Sequence, residues 1–166
     1  MSYTKNKGTA FETAVVKYLQ SCGFTTPRRV VMHGANDQGD LHIGTEPNVP
    51  DIVLECKNYA KELPYKMVED FIDEAWTEYC HALKTDDPNN YRALLVVKRI
   101  NLGVADSWLI WKNKYNITLR ARLGDVINQQ VLSHCNTEQE RIDCFVTRLK
   151  GGNLVLNYTK QTTLTK

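Results

Sequence analysis

Residues 39–57 read GDLHIGTEPNVPDIVLECK, two strand-like runs around a turn. Side chains alternate along a strand, so in IVLECK Glu55 and Lys57 share one face while Leu54 and Cys56 take the other. Glu55-Cys56-Lys57 is the only acid-x-lysine triplet in the chain. If 40–43 and 51–57 pair as an antiparallel hairpin, the turn centres near Pro47-Asn48 and sets Asp40 opposite Glu55. Opposed residues have Cβ atoms about 5 Å apart. Two carboxylates that close repel unless one takes a proton or a cation lies between them. Mg²⁺ suits such a place, because it takes oxygen ligands, needs few protein carboxylates and keeps several waters. The Cys56 carbonyl is a candidate third ligand, and Lys57 stands beside as orienter, proton acceptor or charge stabiliser. These parts fit metal-assisted hydrolysis of a phosphodiester. They also fit a surface hairpin carrying an Asp40/Glu55/Lys57 ion cluster, and both readings stand on these residues.

The remainder of the composition narrows the setting. At 166 residues, 42% hydrophobic and 24% charged, the chain has the size and balance of one globular domain. No apolar run approaches the roughly 20 residues of a membrane span, and the polar start MSYTKNKGT is unlike a signal peptide. Five cysteines without a C-x-x-C pair point to reduced thiols in a cytoplasmic setting rather than disulfides or a zinc site. The net charge of +2 hides an uneven distribution: +4 over 1–34, −9 over 35–90 and +7 over 91–166. Two basic ends around an acidic middle could form a surface for nucleic acid, or fold into an evenly mixed one.

Apolar positions at about 100° per residue predict a helix over 8–22, with Thr9 as N-cap, Glu12 as its capping-box partner and Gly23 as the stop. Glu12 falls inside the apolar stripe, so it either caps the helix or points into a site beneath it. A second helix is expected over 64–84. Its apolar face includes Trp76 and Tyr79, and Glu69, Asp70, Asp73, Glu74 and Glu78 crowd a face read as solvated. Strands are expected at 28–33, 40–43, 51–57, 93–98 and 107–111. A short helix follows at 123–132, then a hairpin of 142–149 with 154–158 turning at Gly151-Gly152. The order indicates an α/β protein with a mixed sheet flanked by helices. Candidate phosphate contacts are Lys98 and Arg99 after the apolar strand, Arg28 and Arg29 opening another, and Lys5 and Lys7 in an N-terminal arm. His42 shares the parity of Asp40. GANDQG (34–39) lacks the G-K-[ST] of a P-loop.

Taken together, G-D-x(14)-E-C-K behind a helix carrying KGTAFE (7–12) resembles the PD-(D/E)XK nuclease superfamily. K-G-x-x-x-E near the N-terminus is similar to archaeal Holliday junction resolvases. GANDQGDLHI followed by IVLECKN, a long helix and VVKR (96–99) resembles small phage-type resolvases. The resemblance covers about residues 7–111. It implies a restriction-endonuclease-like α-β-β-β-α-β core in a single nuclease domain, 1–166, with 112–166 as a C-terminal extension. Asp40 and Glu55 would hold Mg²⁺, with Mn²⁺ as a substitute. Lys57 would be the catalytic lysine, and Glu12 would reach the metal site through a water or a second ion. The implied activity is a metal-dependent endodeoxyribonuclease on four-way junctions, working as a homodimer in the cytoplasm of a bacterial, archaeal or phage-infected cell. The wide apolar face of the 64–84 helix is a candidate dimer surface.

The chain departs from the family pattern at the first acid, because Gly39 and not proline precedes Asp40. A literal Pro50-Asp51 stands four residues before Glu55. Asp51 lies about 13 Å from Glu55 along an extended strand, at the turn, and the assignment therefore goes to Asp40. A restriction-like or repair nuclease on duplex DNA is the rival within enzymes. A non-catalytic DNA-binding protein on the same scaffold is the rival outside them.

Overall fold

The computed structural model describes residues 3–31, 37–83, 91–151 and 156–157. The apolar periodicity near the N-terminus belongs to a longer helix than expected, α1 (Tyr3–Ser21). Thr9 is therefore an interior residue and not a cap; its carbonyl accepts a hydrogen bond from Thr13 Oγ1 at 2.9 Å. Lys5 and Lys7, expected in an arm, lie in this helix. Its end is as read. Gly23 has φ +116°, and Phe24 N–H donates to Leu19 O while Gly23 N–H donates to Gln20 O, the paired bonds of a Schellman stop.

The strands are β1 (Arg28–Arg29), β2 (Leu41–Ile43), β3 (Ile52–Lys57), β4 (Ala93–Val97), β5 (Trp108–Lys112), β6 (Thr118–Arg122) and β7 (Leu156–Asn157). They form one seven-stranded mixed sheet in sequence order, parallel only between β3 and β4. That parallel step needs a crossover, which α2 (Tyr65–Leu83) supplies. The order α1, β1, β2, β3, α2, β4 reproduces the expected α-β-β-β-α-β succession. The first strand is shorter than expected, and residues 32 and 33 lie outside the described residues, as does the 85–90 loop.

Both faces of the sheet are covered. On one, Phe11, Val15 and Leu19 of α1 pack with Leu54, Val96 and Trp111. On the other, Val68 and Ile72 of α2 pack with Leu95, Val97 and Ile110. This two-sided burial is why ALLVV of β4 is apolar at every position. The α2 face proposed for a dimer is largely spent here: Val68, Ile72, Ala75 and Tyr79 are all buried within the chain.

The C-terminal third differs most from expectation. β6 was not foreseen although TLRAR alternates Leu119 and Ala121 with polar residues, because the stretch is short and has few strong strand formers. The single helix over 123–132 is two one-turn helices, α3 (Leu123–Val126) and α4 (Gln129–Leu132). Between them Asn128 caps α4 by accepting from Val131 N–H at 2.9 Å. Residues 142–149 are not a hairpin strand but part of α5 (Glu138–Lys150). Thr137 and Glu140 close a capping box, and Ile142, Phe145, Val146 and Leu149 recur at helical spacing into the core under the sheet. β7 pairs with β6 instead. Among the described residues, no helix is long and apolar enough to cross a membrane, and all five cysteines are free thiols.

Candidate active site

β3 carries the site because its two faces do different work. Leu54 and Cys56 enter the core beneath α1, where burial pushes the Cys56 thiol well up and keeps it neutral. Glu55 and Lys57 face α2. The pairing of β2 with β3 sets Leu41 opposite Leu54 and Ile43 opposite Ile52. Continued one step, this register sets Asp40 beside Glu55, as the hairpin geometry required. The Asp40 carboxylate does more than stand there: its Oδ2 accepts the Cys56 backbone N–H at 2.8 Å, which pins it across the strand end. Burial, and next the Glu55 carboxylate, push the Asp40 acid up to about 7.

Lys57 Nζ lies 2.5 Å from Glu55 Oε1 and 3.2 Å from Glu74 Oε2, and 4.4 Å from the centroid of the Phe71 ring. Burial works against its charge, but the two carboxylates outweigh it and raise the group, so it is held as an ammonium.

Glu74 and Glu78 are the residues that sequence reading missed. Both were assigned to a solvated face of α2. Glu78 is instead only 3% exposed. The carboxylates of Glu55, Glu74 and Glu78 can place oxygens within 4.8 Å of one another. Glu78 Oε2 is buried without a hydrogen-bond partner among the described residues. Burial and the adjacent Glu55 push the Glu78 acid up to about 10. A signal was present, since Glu78 sits only about 80° from Val68 at 100° per residue, at the edge of the apolar arc next to Phe71. Gly39 makes room for the group. It has φ +85°, and a Cβ there would meet Val53 Cγ1 at 2.4 Å and Glu78 Oε2 at 3.5 Å. A side chain cannot be accommodated at that position without displacing the wall of the site.

Glu12 approaches from α1, on the other side of the sheet. Arg29 Nη2 and Nε lie 2.8 and 2.9 Å from Glu12 Oε2, and the charge of Glu12 contributes to raising the Asp40 acid. With α1 beginning at Tyr3, the capping role is removed and the placement beside Asp40 is what remains. Asn58 Nδ2 donates to Lys7 O at 3.2 Å and ties the helix to the end of β3.

Other candidates separate clearly. Asp51 serves the turn: its N–H donates to Ile43 O, its Oδ2 accepts from Thr45 N–H, and Arg92 Nη1 lies 3.6 Å from its Oδ1. Arg28 donates to Pro47 O at 2.8 Å and braces the same turn. His42 is buried and its Nε2 donates to Gln38 O at 2.6 Å; burial pulls its pKa down, so it is a neutral structural ring. Lys98 and Arg99 leave β4 beside Lys57, and Lys98 N–H donates to Lys57 O at 2.9 Å.

The donor set is all oxygen, hard and acid-rich, and among the described residues the buried Glu78 Oε2 lacks a partner. That fits a hard divalent cation such as Mg²⁺ better than a soft metal. Asp40 and Glu55, with the Cys56 carbonyl, are the groups that would hold it. Compared with protein-family models, curated proteins and solved structures, the chain matches none.

Proposed function

We propose that the protein is a Mg²⁺-dependent endodeoxyribonuclease with a restriction-endonuclease-like core, acting on branched DNA as a Holliday junction resolvase. The observation that carries this reading is the convergence of Asp40, Glu55 and Lys57 at the end of β3, walled by the buried Glu78 with its unpartnered oxygen. A binding module has little reason to bury Glu55 and Glu78 together, because Lys57 pairs with Glu55 and leaves the desolvation of Glu78 without a cation among the described residues to offset it.

Mg²⁺ bound there would supply Lewis-acid stabilisation of charge building on the phosphoryl oxygens. Lys57, held as a cation by Glu55 and Glu74, stabilises the same charge and orients the attacking water. Glu12, its carboxylate fixed by Arg29, would reach the metal site beside Asp40 through a water or a second ion. The surrounding cations contact phosphates and read no bases, which suits recognition by shape. A junction offers two symmetric scissile phosphates, so a two-fold homodimer with one site per subunit matches the substrate.

The test is to incubate the protein with a mobile four-way junction and with a linear duplex of the same sequence, in Mg²⁺ and in EDTA. Paired symmetric nicks in the junction alone, abolished by EDTA, support the reading. Equal cutting of both substrates would move the assignment to a duplex nuclease.

A further inference from the structure

One strand beyond Lys57, on the same face of the sheet, is a cavity of about 250 Å³. Val97, the register partner of Lys57, lies in its floor with Ile110. Lys61, Lys98, Arg99 and Arg120 line it against a single acid, Glu62. Arg120 is engaged with that acid at 3.9 Å. Among the described residues, Lys61, Lys98 and Arg99 have no such ion pair, so the positive charge of the wall remains available. Trp108 organises two of these cations. The Cζ atoms of Arg99 and Arg120 lie 4.4 and 4.5 Å from its ring centroid. The exposed rim pairs apolar Ile100 (51%) and Leu102 (41%) with the exposed Lys61 and Glu62.

We propose that this cavity receives one unstacked nucleotide of the DNA strand next to the scissile phosphate. Its phosphate meets Lys98, Arg99 and Lys61, and its base lies against the guanidinium planes and the apolar part of the rim. A phosphate alone would need only the cations, and a hydrophobic ligand alone would not be met by three unspent ones. A nucleotide has both parts, a charged group and a flat apolar body, and bases stack on arginine planes as well as on aromatic rings. Trp108 also lines the cavity, and its ring holds the two guanidiniums in place there. Extruding a base costs least where stacking is already broken, so such a pocket favours branch points over continuous duplex. This inference rests on the nuclease reading and names how that site selects its substrate.

The experiment uses the full chain in Ca²⁺, which supports binding without turnover. A four-way junction carries 2-aminopurine at a crossover nucleotide, and a continuous duplex carries it at the same sequence position. Binding to the junction is expected to raise the 2-aminopurine fluorescence, as unstacking does, and binding to the duplex to leave it unchanged. Arg99→Ala is expected to weaken junction binding by about tenfold, the loss of roughly one base-stacking contact, and to remove the fluorescence rise, with a clearly smaller loss on duplex from the missing phosphate contact. Arg99→Lys keeps the charge and loses the plane, and is expected to lack the fluorescence rise too. Circular dichroism melting confirms that both variants are folded. Equal weakening on junction and duplex would reduce the cavity to a plain phosphate clamp and overturn the proposal, as would unaltered binding and fluorescence in both variants. Cutting in Mg²⁺ is followed in parallel. Cutting without any fluorescence rise removes the pocket and leaves the nuclease. A fluorescence rise with no cutting removes the nuclease and leaves the pocket.

Discussion

Asp40 and Glu55 stand side by side on adjacent antiparallel segments, and the Asp40 carboxylate is locked there by the Cys56 N–H at 2.8 Å. That bond turns a strand-end acid with several rotamers into one fixed oxygen donor. It also places the charge of Asp40 against that of Glu55, an arrangement that is unfavourable by itself and is relieved when a cation joins it.

The crowding has a thermal consequence. A divalent ion that binds only the folded chain stabilises it by about 2.7 kcal/mol at 100 times its dissociation constant, which is of order 5–10 °C for a chain this long. Mg²⁺ or Ca²⁺ is therefore expected to raise the melting temperature by several degrees, and EDTA to reverse it. Glu78→Gln removes one of the crowded acids. The variant is expected to melt above wild type without metal and to gain less from Mg²⁺. Differential scanning fluorimetry reads both, and an unchanged response to Mg²⁺ in the variant would detach Glu78 from the site.

Glu12 and Arg29 form a partly exposed pair, and such pairs contribute roughly 0–1 kcal/mol to stability. If Glu12 serves the site, Glu12→Gln should cost little in melting temperature and about 10- to 100-fold in cutting, the range seen when outer partners of a metal site are removed. A large loss of stability with normal cutting would return Glu12 to a structural role.

Far from the acids, Glu138 anchors the start of α5 to the chain ahead of β1. Its carboxylate accepts from Thr25 N–H, Thr26 N–H and Thr26 Oγ1 at 2.6–3.0 Å. Burial pushes this acid up, but the hydrogen bonds outweigh it and leave it below its ordinary value. A depressed folded-state pKa gives stability that is present above the unfolded value of about 4.3 and lost as the pH falls through the folded value. Glu138→Gln should cost about 1–3 kcal/mol at neutral pH and show a shallower loss of stability on acidification. Denaturant melts between neutral pH and pH 3 measure both effects, and parallel acid limbs for the two proteins would contradict the assignment.

What was legible in the sequence followed from short-range rules. Strand parity placed Glu55 with Lys57, the turn centre gave the Asp40–Glu55 register, and Gly23 marked the end of α1. What was hidden depended on partners distant in sequence. Glu78 reads as one more surface acid until Gly39 and Glu55 are brought against it. TLRAR alternates as a strand does, with Leu119 and Ala121 on the core face, but its length and two arginines read as a loop until Arg120 is brought over Trp108. Residues 142–149 have enough β-branched and aromatic character for a strand, and the capping box at Thr137 with the 142/145/146/149 stripe decides for helix. Likewise His134, Cys135 and Cys144 bring donor atoms within 4.8 Å of one another through the α4–α5 turn, at a spacing that gives no sequence signature.

The most direct measurement compares wild type with Asp40→Asn and Glu55→Gln on one labelled four-way junction, scoring binding in Ca²⁺ and cleavage in Mg²⁺. Both variants are expected to bind within a few-fold of wild type and to lose cleavage by more than about 100-fold, beyond the loss typical of outer partners alone. Undiminished cleavage by either variant would contradict the assignment of the metal-dependent site to Asp40 and Glu55.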